Sequence, residues 1–348
     1  MNTSGSGNIT IVKKAIRATL VFILVFHLAS AQDELTRIAF GSCNEEENDD
    51  QMWPDIVAQK PQLWIWLGDN IYADTHDMNF LKAQYQKQKS NPGYRQLLST
   101  CPVIGIWDDH DYGVNDAGKF YTRKKESKEQ LLNFLDVPPH APVRQHEGAY
   151  SSQIYGSGSK KTKIILLDTR YFRDTLYRST VSGKRYELNT TGDVLGEEQW
   201  KWLEKELAEP DVALNIIGSS IQFIAEDHAF EKWANFPLAK DRFIQLLSRV
   251  KPKNTFIISG DRHIAEVSKI NIPGLPYGLY DFTSSGLTHT WNGAVAETNR
   301  HRVGDLIIQK TFGLVVIDWA GANPKVSLEI RGKDGFLYQK FDVVFNLK

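Results

Sequence analysis

Three apolar runs of strand character in this chain stop abruptly in Asp and His, and that repeated ending constrains the fold more than any other feature. "WIWLGDNIYAD" (64–74) passes from apolar residues into Gly68, Asp69 and Asn70, with Tyr72 and Asp74 just beyond. "VIGIWDDHDYG" (103–113) does the same at Asp108, Asp109, His110 and Asp111, and "TFIISGDRH" (255–263) at Asp261, Arg262 and His263. A fourth run, in "RIAFGSC", ends at Cys43. Continuous apolar runs suit strands buried on both faces. In open α/β sheets, ligands gather beyond the carboxyl ends of the strands. A sheet that aligns these runs therefore gathers their polar endings in one place.

The intervening segments support such a sheet. "WPDIVAQK" carries Pro at an early helical position, and "MNFLKAQYQKQ", "SKEQLLNFLDV" and "AKDRFIQLLSRV" also read as helices. "GEEQWKWLEKEL" places Trp200, Leu203 and Leu207 on one helical face. "AYSSQIYG", "TKIILLDTR" and "ALNIIGSS" read as strands, as do "FGLVVIDW", "KVSLEIRG" and "LYQKFDVVF" near the C-terminus. The order predicts an α/β body with an added antiparallel portion.

A net charge of −1 over 348 residues gives no sign of a polyanion-binding surface, so no dedicated nucleic-acid partner is expected. At the N-terminus, Lys13, Lys14 and Arg17 precede "ATLVFILVFHLASA", which ends in Ala29, Ser30 and Ala31. This pattern predicts a secretory signal peptide over 1–31, cleaved before Gln32. The apolar run falls short of the roughly 20 residues of a membrane span. The expected mature protein is secreted or periplasmic, with no membrane span. Cys43 and Cys101 are the only cysteines, and in an exported protein a pair suggests a disulfide. The place of Cys43 at a strand end points instead to a ligand.

Several carboxylates meeting at one point repel and raise one another's pKa. Metal cations relieve that repulsion. Mixed Cys, Tyr, His and Asp ligands suit iron, whereas an Asp-rich position suits Ca²⁺, Mg²⁺ or Mn²⁺. Two metals roughly 3.5–4 Å apart are the usual device for displacement at phosphorus, and Asp69 is best placed to bridge them. A neighbouring His would then stabilise the transition state or protonate the leaving oxygen.

"GSC", "GDNIY", "DDHD" and "GDRH", in that order, resemble the calcineurin-like metallophosphoesterases, and more narrowly the PhoD-type alkaline phosphatases. The resemblance spans about Arg37 to Phe345, making 32–348 one metallophosphatase domain. It implies a four-layer α/β/β/α sandwich with C-terminal antiparallel strands. It also implies that Asp69 bridges two metals, that Tyr72 and Cys43 bind Fe³⁺ with His263, and that His110 is catalytic with Asp111 orienting it. The third motif usually reads Gly-Asn-His-Glu/Asp; here Asp109 stands at the ligand Asn. The last usually reads Gly-His-x-His; here Asp261 replaces the first His. Carboxylates in place of imidazoles favour Ca²⁺, or Mn²⁺ or Mg²⁺, at the second position. The implied activity is a secreted phosphohydrolase that directs a metal-held hydroxide at phosphate mono- or diesters. Phospholipid and nucleotide diesters are further candidate substrates. The alternative is a non-catalytic metal- or carbohydrate-binding protein on the same scaffold, a role that would not need His110.

Other residues fall outside the motifs. Alternation along a strand sends Asp108 and Asp109 to opposite faces, which favours Asp109 as the ligand and leaves Asp108 to support the loop. Arg262 is a candidate phosphate contact, since a guanidinium can bind two oxygens at once. Gln222 takes the place of a family His on the preceding strand. His289, Arg300 and Arg302 are candidates to shape the pocket, whose access would depend on loops 171–191 and 225–238. "EEENDD" (45–50) lacks EF-hand spacing and reads as a solvated acidic loop. Asn189 in "NTT" matches a glycosylation sequon. Ser219 and Ser284 lie in no Gly-x-Ser-x-Gly elbow.

Overall fold

The computed structural model describes residues 1–3, 5 and 33–345. Contacts divide the chain into 1–31 and 32–348. The expected signal peptide lies almost wholly outside the described residues, and every element below belongs to the second unit. Among the described residues no helix is long and apolar enough to cross a membrane.

In chain order the strands are β1 (Arg37–Gly41), β2 (Leu63–Leu67), β3 (Val103–Ile106), β4 (Ser151–Tyr155), β5 (Thr162–Leu166), β6 (Leu214–Ser219) and β7 (Thr255–Ser259). They continue with β8 (Ala265–Asn271), β9 (Gly278–Ser284), β10 (Arg302–Ile307), β11 (Phe312–Asp318), β12 (Lys325–Arg331) and β13 (Leu337–Val343). The helices are α1 (Trp53–Ala58), α2 (Met78–Ser90), α3 (Pro92–Thr100), the single turn α4 (Asp109–Tyr112), α5 (Lys124–Phe134), α6 (Gly196–Leu207) and α7 (Pro237–Val250).

Two sheets form: a six-stranded one in the order β13-β12-β11-β1-β2-β3, and a seven-stranded one in the order β10-β8-β9-β7-β6-β5-β4. Strands β1, β2 and β3 are parallel, as are β5, β6, β7 and β9. The last three strands join the first sheet antiparallel through β1–β11, as the C-terminal pattern predicts.

Side-chain alternation along β2 shows how the layers are built. Leu63, Ile65 and Leu67 enter the apolar core shared with the second sheet. Trp64 and Trp66 enter a separate core with Trp53 of α1, Tyr94 of α3 and Leu131 and Phe134 of α5. Trp53, Trp64 and Trp66 meet edge to face at 5.3–5.4 Å, an arrangement that favours aromatic quadrupoles. The Trp66 indole N–H donates to the Tyr94 hydroxyl at 3.0 Å, so its one polar atom is satisfied. Trp200 and Leu203 of α6 and Phe243 and Leu247 of α7 join the core of the second sheet. Phe40 of β1 and Phe282 of β9 meet at 4.9 Å, connecting the two sheets.

Helix α3 and strands β8 to β10 were not legible as elements. Asn91, Pro92 and Gly93 open α3 like a turn, but the Asn91 side chain caps it by accepting from the Tyr94 N–H, and Leu97 anchors it in the core.

Gly68, which follows β2, takes φ +93°, and a Cβ there would lie 2.3 Å from Cβ of Asp108. Only glycine lets the β2 and β3 endings approach this closely. Gly68→Ala should cost about 3 kcal/mol or more, from left-handed strain plus overpacking. Thermal unfolding checks this; an unchanged Tm would contradict the packing described.

Candidate metal centre and its pocket

The carboxyl ends of β1, β2, β3 and β7 meet, and their polar endings form one cluster. Cys43, Asp69, Asp261 and His263 all have positive φ, between 47° and 68°. Such backbone is uncommon outside glycine and concentrates at sites that the surrounding structure over-determines.

Three groups of donor atoms each lie within 4.8 Å of one another: Cys43, Asp69 and His263; Asp69, Asp109 and His110; and Asp69, Asp108, Asp109 and Asp261. Asp69 belongs to all three. The Cys43 thiol and the Tyr72 hydroxyl each approach Asp69 Oδ2 at 3.4 Å. Tyr72 also lies 3.0 Å from His263 Nε2. The structure thus brings together Cys43, Asp69, Tyr72, Asp109, Asp261 and His263.

The electrostatics of this group suit cations. Burial pushes Asp69 well above the usual carboxylate range; Asp109, Asp108 and Asp111 push it further, against His110. Burial, then Asp108 and Asp109, raise Asp261 in the same way, although its side chain keeps some exposed area. Burial, Asp69 and Asp261 raise the Cys43 thiol. Burial, His289 and Arg262 lower His263 to about 3, leaving the neutral imidazole that ligates metals. Asp109 is the exception. Burial would raise it, but the Arg170 guanidinium and His110 prevail and hold it below the ordinary range. Among the described residues, Oδ2 of the buried Asp108 has no hydrogen-bond partner. An orphaned carboxylate oxygen beside a Cys, Tyr, His and Asp donor set fits a metal.

Asp108 is therefore more than the loop support that alternation suggests. Strand β3 ends at Ile106 and a helical turn starts at Asp109, so the period-two rule lapses between them. Oδ1 of Asp108 accepts from Arg170 Nε at 2.6 Å and from Ser220 Oγ at 2.5 Å.

Asp111 does not orient His110. His110 Nδ1 lies 2.6 Å from Oδ2 of Asp74, the last residue of the "WIWLGDNIYAD" stretch. Asp111 is fully buried and accepts from the Asp108 N–H at 2.7 Å, the Asp69 N–H at 3.2 Å, both Asn70 nitrogens, and the Tyr85 hydroxyl at 3.0 Å. It fastens the β2 ending to the β3 ending. Facing into the protein at the third position of α4, it cannot also reach the exposed edge of His110.

Arg262 also departs from expectation. Its Nη2 donates to both Glu297 oxygens, at 2.8 and 2.6 Å, and its guanidinium lies 4.5 Å from the Phe230 ring centre. Glu297 thus takes one nitrogen of the fork, while Arg262 still lines a cavity beside the cluster. Gln222 faces away from the cluster, its Nε2 bound to Glu266 and Thr283 at 2.8 Å. Both cysteines are free thiols, so the alternative disulfide is absent. Arg300 pairs with Asp227 and Arg302 with Glu266. His289 does reach the site, with Nε2 3.2 Å from the Tyr72 hydroxyl. Glu46 in the acidic loop is buried and accepts from the Tyr72 N–H at 3.0 Å. Asn189 is buried, its amide donating to the Thr175 carbonyl at 2.9 Å, which closes the sequon in the folded state.

Sequence reasoning missed Arg170, Glu231 and Arg173. Arg170 bonds Asp108 and lies 3.7 Å from Asp109. Glu231 lies 2.5 Å from Arg170 and 2.7 Å from Arg173, and all three are buried. The available signal was "IILLDTR", a further apolar run with a polar ending.

A cavity of about 250 Å³ opens beside the cluster, lined among others by Asp109, His110, Asp261, His263, Phe230 and Trp291.

A family model described as PhoD-like phosphatase matches residues 38–311. The chain belongs to the PhoD-like phosphatase family. Alkaline phosphatase D of Bacillus subtilis (strain 168) is 21% identical over 307 residues, covering 74% of this chain and 51% of that protein. The chain thus spans about half the length of this curated relative. A solved structure of PhoD superposes with TM-score 0.68 at 15% identity, covering 91% of this chain and 74% of that one. GAP50, named as the anchor in the inner membrane complex of Plasmodium, gives 0.60 at 12% identity, covering 91% and 90%. A dimetal phosphatase from Danio rerio gives 0.55 at 13%, covering 90% and 100%. The two-sheet PhoD-like fold is shared across all three.

Asp111→Asn should cost this PhoD-like chain about 2 kcal/mol, since buried donors lose a charged acceptor. Asp74→Asn, at a partly exposed pair, should leave the unfolding midpoint nearly unchanged. Denaturant titration of both variants checks the contrast; equal losses would contradict the division of labour between the two carboxylates.

Proposed function

We propose that the chain is a metal-dependent phosphohydrolase acting on phosphate mono- or diesters. The observation that carries this reading is Asp69, common to three donor groups, beside His110 at the wall of a cavity. Family membership and the fold shared with a dimetal phosphatase support it. Cys43, Asp69, Tyr72 and His263 would hold iron. Asp69, Asp109 and Asp261, joined by Asp108, would hold Ca²⁺ or a similar hard ion. The basic-apolar-small pattern of residues 1–31 supports a secreted or periplasmic protein.

Bound metals would supply Lewis acidity, drawing in phosphate oxygens and making water a competent nucleophile. The protein's own groups do the rest. Burial would lower the pKa of His110, but Asp69, Asp74 and Asp109 outweigh it and raise the imidazole to about 11. Cations on Asp69 and Asp109 would withdraw part of that support and leave Asp74 as the constant partner. With Nδ1 held by Asp74, Nε2 of His110 is left to donate a proton to a phosphoryl or leaving oxygen. Arg170 holds Asp108 and Asp109 against their mutual repulsion, and Asp111 fixes the backbone that carries Asp69.

A serine nucleophile has no support. Ser219 Oγ donates to the Ile221 carbonyl at 2.7 Å, and among the described residues the buried Ser284 hydroxyl meets only Thr311, at 3.5 Å. Neither faces a base. An anchoring role, as the name of GAP50 gives for that protein, would leave the His110–Asp74 pair without a purpose.

Chelation should abolish hydrolysis of aryl phosphate mono- and diesters, with recovery on adding Ca²⁺ or Mn²⁺. Asp69→Asn should lower kcat by about 10³-fold or more, and His110→Ala by about 10²–10⁴-fold. Asp74→Asn should lower kcat by about 10–100-fold. Chelator-resistant turnover, or a fully active Asp69→Asn variant, would contradict the proposal. Cys43→Ser should remove iron while leaving calcium, as read by elemental analysis.

A further inference from the structure

The cavity beside the donor cluster has two kinds of lining. Asp109, His110, Asp261 and His263 line it, and so do Phe230 and Trp291, with Arg185 and Arg262. These two rings meet edge to face, with centres 4.7 Å apart at 77°. Both are partly exposed, so aromatic surface faces the cavity. The negative face of an aromatic ring is a poor neighbour for a phosphate anion. The aromatic lining therefore suits the uncharged part of an ester better than its phosphate.

The rings are also held in register with the metal cluster. The Trp291 N–H donates to the carbonyl of His263 at 3.1 Å. Phe230 precedes Glu231, which bonds Arg170, which in turn bonds Asp108. The Arg262 guanidinium lies 4.5 Å and that of Arg185 5.3 Å from the Phe230 ring centre. A cation above an aromatic ring is attracted by its quadrupole, so Phe230 is fixed on that side too. Arg262 is neutralised by Glu297. Arg185 is partly exposed and shares Asp116 with Arg178, which places a guanidinium plane at the cavity mouth. A volume near 250 Å³ is small against the roughly 300–1,000 Å³ of sites for drug-sized ligands. It suits a phosphate carrying one ring and not a length of polymer.

We propose that Phe230 and Trp291, with Arg185 at the rim, form a specificity subsite for phosphate esters whose organic group is a flat, unsaturated ring. The proposal rests on the phosphohydrolase reading above and names the substrate class of that site. Phe230 and Trp291 act on binding, by aromatic contact with the ring, and take no part in proton transfer.

Turnover cannot separate stacking from leaving-group acidity, because aryl phosphates also depart more readily. Binding of non-hydrolysable phosphonates can. Calorimetry on the full chain purified with its metals would compare phenylphosphonate, cyclohexylphosphonate and methylphosphonate, with inorganic phosphate as reference. Phenylphosphonate should bind about ten-fold tighter than methylphosphonate, the scale of a good aromatic contact. Cyclohexylphosphonate should fall between them, because it matches phenyl in bulk but not in flatness. Trp291→Ala and Phe230→Leu should each bring the phenyl-to-methyl ratio towards one, and Trp291→Phe should retain most of it. Each ratio is taken within one protein, so a general loss of affinity or stability does not mimic the effect. Equal binding of phenyl- and methylphosphonate, with phosphate bound, overturns this inference alone. Cyclohexylphosphonate binding as tightly as phenylphosphonate overturns the requirement for a flat ring. Failure of inorganic phosphate to bind at all overturns the phosphohydrolase reading beneath it.

Discussion

Four carboxylates, from Asp69, Asp108, Asp109 and Asp261, are held within 4.8 Å of one another where the strands end. Their mutual repulsion is the constraint around which the rest of the structure is arranged. Burial and proximity both disfavour the charged forms, so a protein that keeps this cluster must supply positive charge. It supplies the Arg170 guanidinium, buried and paired with Asp108 and Glu231, and the His110 imidazole beside Asp69 and Asp109. These groups against four carboxylates leave a deficit that metal ions are suited to fill. The left-handed backbone at Cys43, Asp69, Asp261 and His263 is tolerated because two packed sheets and the Asp111 hydrogen bonds fix it from outside.

Catalytic and structural carboxylates can be told apart by what donates to them. Asp111 receives backbone and side-chain donors from both strand endings, and its role is to hold the chain. Asp74 receives one imidazole and is partly exposed, and under the proposed function it would hold a reacting group. Asp108 is satisfied on one oxygen and orphaned on the other, which leaves a lone pair for a cation. The same residue type thus serves three purposes, set by geometry and not by identity.

The strand-end pattern made most of the fold and the metal cluster legible, because each apolar run is local and its polar ending is adjacent in sequence. The residues that escaped depend on pairing across long separations. Arg170 meets Asp108 across 62 positions and Glu231 across 61, and no local period announces such a pair. Asp111 is next to His110 in sequence and Asp74 lies 36 positions away, yet the direction of a single helical turn gives the imidazole to Asp74. Strands β8 and β9 carry Glu266, Asp281 and Ser268 as buried polar residues, which broke the apolar signal of their segments. The pairing of Arg262 with Glu297 was equally hidden, because its partners lie 35 residues apart.

If the buried carboxylates are kept for cations, the folded state should bind metal far better than the unfolded chain, and binding should stabilise it. The most direct test is thermal unfolding of the chain stripped of metal and then titrated with iron and Ca²⁺ or Mn²⁺. The account expects the midpoint to rise with metal concentration, and Asp69→Asn to lose most of that rise because Asp69 serves every donor group. A midpoint indifferent to metal in the native sequence would mean that the protein tolerates these charges by itself, and would contradict the central claim.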